Sequence, residues 1–175
     1  MIWGVNDTGN AVNSTRPHTR SLLAATAAVV AADQLSKAAV LATLEPGQPL
    51  HLIGDWFRFY LLFNSGAAFS MGENLTPVFT AIQLFFGIGI TIVIIRGKVS
   101  RIFGRPDAIA GLGLALIAGG ALGNVIDRLF RAPGFFIGHV VDFISIGSFA
   151  VFNLADSAIT IGVALIVLRS IMEAK

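Results

Sequence analysis

Apolar residues run along this chain in long blocks, not at the two-residue or 3.6-residue spacing of elements with one wet face. Four blocks stand out. The first, Ser21 to Leu44, is rich in Ala, Val and Leu and is interrupted only by Asp33 and Lys37. A charge-free stretch lies between Glu73 and Arg96 and another between Asp107 and Asp127; the last runs from Phe149 to Met172, with Asp156 its only charge before Arg169. Each is close to the roughly 20 residues that cross a hydrocarbon core of about 30 Å. The pattern predicts four transmembrane helices at 21–44, 76–95, 108–128 and 149–171, forming one membrane domain over 21–172.

The segments between the blocks differ in kind. Residues 1–20 are polar and without apolar periodicity, and are read as a disordered tail with no assigned function. Gln48 to Ile53 and Trp56 to Asn64 are extended runs flanking Gly54 and Asp55, which suits a hairpin with a type II′ turn. Ile137 to Ile144, after the Pro133-Gly134 turn, is a second β-like run. The fold class expected is thus an all-α polytopic membrane protein carrying a small extracytoplasmic β platform, from which Trp56, Phe57, Phe59 and Tyr60 reach into the headgroup region. A rival reading of the first block is a cleaved signal peptide, since two arginines precede LLAATAAVVAA; the apolar character that resumes after Lys37 speaks against it.

Composition supports lipid as the solvent. Of 175 residues 55% are hydrophobic and 13% charged, with mean hydropathy +0.79, about half the charge of a soluble domain. Charge placement gives direction: Arg16 and Arg20 before the first block, and Arg96, Lys98, Arg101 and Arg105 between the second and third, put both termini in the cytoplasm by the positive-inside rule. Residues 45–75 and 129–148 then form the outer loops. There is no cysteine, and His18, His51 and His139 are scattered, so no metal or other cofactor is expected. No basic run with interleaved aromatics suggests nucleic acid.

Charged side chains inside a span are costly and therefore candidates for function. Asp33 and Lys37 stand at i and i+4 on one helix face, a favourable ion-pair order, and a structural tether between helices is one reading of them. Counting about 1.5 Å per residue from the inner boundary places Asp33 roughly 18 Å and Asp156 roughly 20 Å up, at one level. Asp127 and Asp142 come to the same region from the third helix end and the second outer loop. Two carboxylates in a poorly hydrated site cannot easily both ionise, so one keeps a proton while the other acts as base toward water. Spacing leaves two readings open, a hydrolase of aspartic type and a proton-coupled transporter.

Five strings are more specific. They are Asp33-Gln34-Leu35-Ser36-Lys37, Asn64-Ser65-Gly66-Ala67-Ala68-Phe69, the run from Gly119 to Arg128, Val140-Val141-Asp142-Phe143, and Phe152 to Ala158 with Asn153, Ala155 and Asp156. In this order they resemble the motifs of bacterial lipoprotein signal peptidase, or signal peptidase II, over residues 21–169. The resemblance implies an intramembrane aspartic endopeptidase of the bacterial inner membrane that removes signal peptides from prolipoproteins, cutting before a diacylglyceryl-modified cysteine near the outer face. It places the catalytic pair on Asp142 and Asp156 and gives Asp33 and Lys37 a supporting role. Asn64 and Asn153 would orient the acids; Asn124, Asp127 and Arg128 would brace them, with Arg128 pairing to Asp127. Gly66 would serve a turn and Gly119, Gly120 and Gly123 close helix packing. Expected partners are lipidated prolipoproteins, membrane lipids and globomycin-type inhibitors, with the chain a monomer. The 14 residues from Asp142 to Asp156 are few for the family.

Overall fold

The computed structural model describes residues 16–66, 75–103 and 107–173. The expected tail up to residue 15, Ala67 to Phe69 of the second motif, and Arg105 lie outside them. The elements in chain order are helix α1 (Arg16–Thr43), strands β1 (Leu50–Ile53) and β2 (Phe57–Asn64), helix α2 (Thr76–Ile95), the one-turn α3 (Val99–Ile102), helix α4 (Ala108–Phe130), strand β3 (Val140–Ile146) and helix α5 (Leu154–Glu173). Among the described residues four helices, Thr19–Thr43, Thr76–Ile95, Ala108–Phe130 and Leu154–Met172, are long and apolar enough to cross a membrane.

Helix α1 starts at Arg16, five residues before the first apolar block. Pro17 in its first turn costs no hydrogen bond there, because the first N–H groups of a helix have no internal partner. Helix α5 starts at Leu154, after the apolar run has already begun at Phe149. Between them Phe149 closes a turn, its N–H donating to the Ile146 carbonyl at 2.9 Å, and Phe152 makes an isolated antiparallel bridge to Ile144, so the helix begins only after Asn153.

Helix α4 is the centre of the molecule: 67% of its most apolar stretch is buried inside the protein, against 17% to 22% for the other three helices. Its glycines explain why. A Cβ on Gly113 would lie 2.8 Å from the Gly162 carbonyl oxygen of α5, one on Gly119 2.7 Å from the Val29 side chain of α1, and one on Gly120 would overlap the Ala155 carbonyl oxygen. Without side chains at these positions α4 meets both neighbours backbone to backbone, which is how helices pack where lipid supplies no hydrophobic drive. The packing role expected for Gly119, Gly120 and Gly123 is what the structure shows.

The three strands form one antiparallel sheet in the order β1-β2-β3. The β1-β2 turn is closed by the Trp56 N–H donating to the Ile53 carbonyl at 3.1 Å, with Gly54 at φ +50, a backbone that favours glycine at the first central position of a primed turn. Strand β3 is the inner edge and is mostly buried against α1 and α4. Leu61, Val141 and Phe143 pack with Val40 of α1, and Phe59 joins them with its ring edge on Phe143 at 5.9 Å. Of the four aromatics expected to reach outward, Phe59 is therefore core, because it shares the Leu61 face of β2; Trp56 is 61% exposed.

Candidate active site

Where the sheet meets α1, α4 and the start of α5, polar groups from all of them converge and are almost completely buried. Asp33, Lys37, Asp127 and Asn153 are 0% exposed, Asp142 is 1% and Asn124 is 2%. Burying such groups is tolerable only if they satisfy one another.

Asn153 is the N-cap of α5. Its Oδ1 accepts the Asp156 N–H at 2.9 Å while its own N–H donates to Asp156 Oδ2 at 3.3 Å, a reciprocal capping box that fixes the Asp156 side chain to the first turn. The Asn153 Nδ2 donates to Asp142 Oδ1 at 2.6 Å and to Asn124 Oδ1 at 3.1 Å. Asp142, in β3, receives a second donor on Oδ2 from Asn64 at 2.8 Å. Asn64 is itself held by an Asx turn, its Oδ1 accepting the Gly66 N–H at 2.7 Å. Gly66 sits at φ +89, and a Cβ there would come within 2.8 Å of Phe79, so the turn and the tight packing both require glycine.

The second layer is built around Lys37. Its Nζ donates to Asp33 Oδ2 and Asp127 Oδ2, each at 2.8 Å, and to Asn124 Oδ1 at 3.0 Å, which uses all three ammonium hydrogens. Asn124 passes this order on, its Nδ2 donating to Asp156 Oδ1 at 2.8 Å. Asp33 Oδ1 accepts the Ala155 N–H at 3.0 Å, an otherwise orphaned donor in the first turn of α5. The level shared by Asp33 and Asp156 is thus real, but Asp33 meets the backbone beside Asp156 and not its carboxyl. Asp127 also accepts from the Val141 N–H at 3.1 Å, tying α4 to β3 next to Asp142.

The expected Asp127–Arg128 pair is not formed. Asp127 binds Arg131 Nε at 2.6 Å, because residues four apart share a helix face and adjacent ones do not. Arg128, 4% exposed, instead donates to Gln83 of α2 at 3.1 Å and to the Ser65 carbonyl at 3.3 Å. Sequence reasoning overlooked Gln83, the single amide in α2, and Gln34, whose Nε2 reaches Asp33, Asp127 and the Gly123 carbonyl at 3.0 to 3.2 Å. Their signal was present: a lone amide in an apolar span, and an amide beside Asp33 in the short polar stretch that ends at Lys37.

Burial pushes the Asp142 carboxyl up to about 7; hydrogen bonds from Asn64 and Asn153 pull it down, and the nearby Asp156 pushes it further up. Asp156 is half-buried and faces a cleft of about 520 Å³ lined also by Phe149, Phe152, Ser157, Thr160 and Ile161. Asp142 is not among the lining residues and is linked to Asp156 through Asn153, which bonds both carboxyls. Among the described residues no three His, Asp or Glu side chains are grouped to hold a metal ion.

A sequence profile of signal peptidase II matches residues 25–172, which include every polar group of this site. The chain belongs to the signal peptidase II family.

Lipoprotein signal peptidase of Streptomyces coelicolor is 51% identical over 135 residues, 77% of this chain and 62% of that protein, so the match spans about three fifths of that relative's length. The Streptomyces griseus lipoprotein signal peptidase is 48% identical over 91% of this chain and 79% of its own length, and that of Mycobacterium avium 43% over 94% and 87%. Two bacterial membrane enzymes solved by the in meso method, at 2.3 Å and 1.9 Å resolution, share the fold with TM-scores of 0.74 and 0.70. They are 28% and 29% identical, covering 89% and 85% of this chain and 90% and 91% of theirs. The signal peptidase II motifs seen in the sequence are the segments that the fold gathers here, apart from the undescribed Ala67 to Phe69.

Proposed function

We propose that this protein is an intramembrane aspartic endopeptidase that removes signal peptides from prolipoproteins, cutting before the lipidated cysteine, with Asp142 and Asp156 as the catalytic pair. The observation that carries the reading is the shared clamp: Asn153 holds both carboxyls, one buried and shifted up to about 7, the other open to a cleft. Four carboxylates, Asp33, Asp127, Asp142 and Asp156, gather with three cations, Lys37, Arg128 and Arg131. One proton on the catalytic pair leaves the cluster neutral, which suits a dry site. Membership of a peptidase family favours hydrolysis over the proton-coupled transport that the spacing alone left open.

In this mechanism Asp142 holds the proton and Asp156 is the base. Water attacks the scissile carbonyl carbon as Asp156 takes a water proton and Asp142 gives its proton to the carbonyl oxygen. The tetrahedral diol collapses, the C–N bond breaks, Asp156 passes its proton to the leaving nitrogen, and a diol hydroxyl returns one to Asp142. Because Asp142 is 1% exposed, its neighbouring side chains have to give way before the carbonyl arrives. The cleft wall of Phe149, Phe152 and Ile161 suits acyl chains and an apolar signal segment. This assigns the sheet to the outer face of the bacterial inner membrane, with both termini cytoplasmic, and the prolipoprotein as partner.

The test is release of the signal peptide from a diacylglyceryl prolipoprotein by purified protein, followed on gels. Asp142→Asn and Asp156→Asn should each fold and each lose at least about a hundredfold in rate. Full activity in either variant overturns the assignment. Globomycin should inhibit the parent protein; movement of protons by it in sealed vesicles, without cleavage, would favour transport.

A further inference from the structure

A second cavity, of about 340 Å³, opens on the sheet beside the cleft and shares Phe149 and Val151 with it. Its polar lining is Arg58, Tyr60, Ser145 and Ser148, with no carboxylate among its lining residues. Arg58 of β2 stands across from Ser145 of β3 in the sheet register, and its Nη2 donates to the Ser145 hydroxyl at 3.2 Å. Its Nε is buried and has no acceptor among the described residues. A buried N–H without a partner is costly, and a guanidinium met only by a hydroxyl keeps its charge unanswered. The cavity is therefore a cationic, hydroxyl-lined recess waiting for an oxyanion.

The rim decides which oxyanion. Trp56 is 61% exposed, Ile53 61% and Phe149 69%, and Trp56 packs next to Gly147 of the cavity wall. An amphipathic aromatic beside exposed aliphatic surface is the arrangement of a membrane interface, where a lipid phosphate can meet arginine while its chains cover the apolar rim. A hydrated acidic peptide has no use for that rim. We propose that this cavity binds the phosphodiester headgroup of an anionic phospholipid, held by Arg58 with the Tyr60, Ser145 and Ser148 hydroxyls. The planar guanidinium presents paired N–H groups that match two phosphate oxygens. The bound lipid then supports the Phe149–Val151 wall of the neighbouring cleft. The proposal rests on the membrane-spanning reading of the four helices and not on the catalytic assignment.

The test is native mass spectrometry of the delipidated full-length chain titrated with phosphatidylglycerol or phosphatidylcholine. One phosphatidylglycerol should bind in preference to phosphatidylcholine, and Arg58→Gln should weaken it by about tenfold or more, the worth of a charge-assisted hydrogen bond. Equal binding by Arg58→Gln, or no preference between the two lipids, overturns the proposal. Displacement of the lipid by equimolar inorganic phosphate or by an acidic peptide also overturns it, because the occupant is then not a headgroup. Should Arg58→Gln fail to fold, Ser145→Ala/Ser148→Ala keeps the cation and should still weaken binding; unchanged affinity there counts against the site. Asp156→Asn should bind phosphatidylglycerol like the parent while losing cleavage, which separates failure of this site from failure of the catalytic one.

Discussion

Lys37 Nζ lies 3.0 Å from Asn124 Oδ1, and Asn124 spends its amide hydrogen on Asp156 at 2.8 Å. The orientation of that amide is set by the lysine, since only the oxygen can face an ammonium. Asn124→Leu removes the link at similar volume. Signal-peptide release should fall about a hundredfold through kcat, the scale for misplacing an acid–base group, with KM little changed; a change in KM alone would mean that Asn124 touches substrate instead.

Lys37 pairs with two buried carboxylates at once. Lys37→Met leaves both without it and should cost about 3–5 kcal/mol, the penalty for stranding buried charge, read as a fall in thermal midpoint in detergent. Lys37→Met/Asp33→Leu should recover part of that loss, since one stranded charge is gone and Asp127 keeps Arg131. A double variant no more stable than the single one would refute the electrostatic account.

Two glycine-to-alanine changes should have opposite signs. At Gly120 the added methyl meets the Ala155 carbonyl oxygen, which is backbone and cannot step aside, so about 1–3 kcal/mol is lost and Asp156, one residue further on, is displaced. At Gly89 nothing lies within 4 Å of an added Cβ, and the helix gains up to about 1 kcal/mol. Melting curves and cleavage rates of the two purified variants check this; loss of activity in Gly89→Ala would be unexplained by packing.

Stability should depend on pH through two acids outside the membrane-spanning helices, with opposite signs. Asp142 binds its proton more tightly folded than unfolded, so its contribution falls as pH rises from 3.8 to about 7 and is flat above. Asp107, the N-cap of α4, is held below the ordinary carboxylate range by the Ala110 N–H, then by the Arg169 side chain, against its own burial. Its contribution is complete above 3.8 and is lost as pH falls through its lowered value. Asp142→Asn should abolish the decline toward pH 7, and Asp107→Asn the one in acid. A protonated-carboxyl infrared band present near pH 6 and absent in Asp142→Asn would locate the proton; the same band in that variant would move it elsewhere.

The helices were legible because a block of about 20 apolar residues has few other uses, and the sheet because alternating aromatics flank Gly54. The ion pair of Asp33 and Lys37 could be read from their i, i+4 spacing. Asp107 and Arg169 could not be paired in advance: they are 62 residues apart, and only the closeness of α4 to α5 brings them together. The proposed pairing of Asp142 with Asp156 rests on motif likeness, while depth alone sets Asp33 level with Asp156, because rise along a helix gives height and says nothing of which way a side chain turns. Arg58 went unremarked for a similar reason, since its cavity exists only once β2 and β3 are in register.

The capping box of Asn153 and Asp156 makes the proposed catalytic base also the peg that starts α5. Whatever grips that carboxyl also pulls on the first turn of a helix that runs the depth of the membrane. Occupancy of the site is therefore legible at a distance, as slower amide exchange along the opening residues of α5, even for a ligand that leaves no chemical trace.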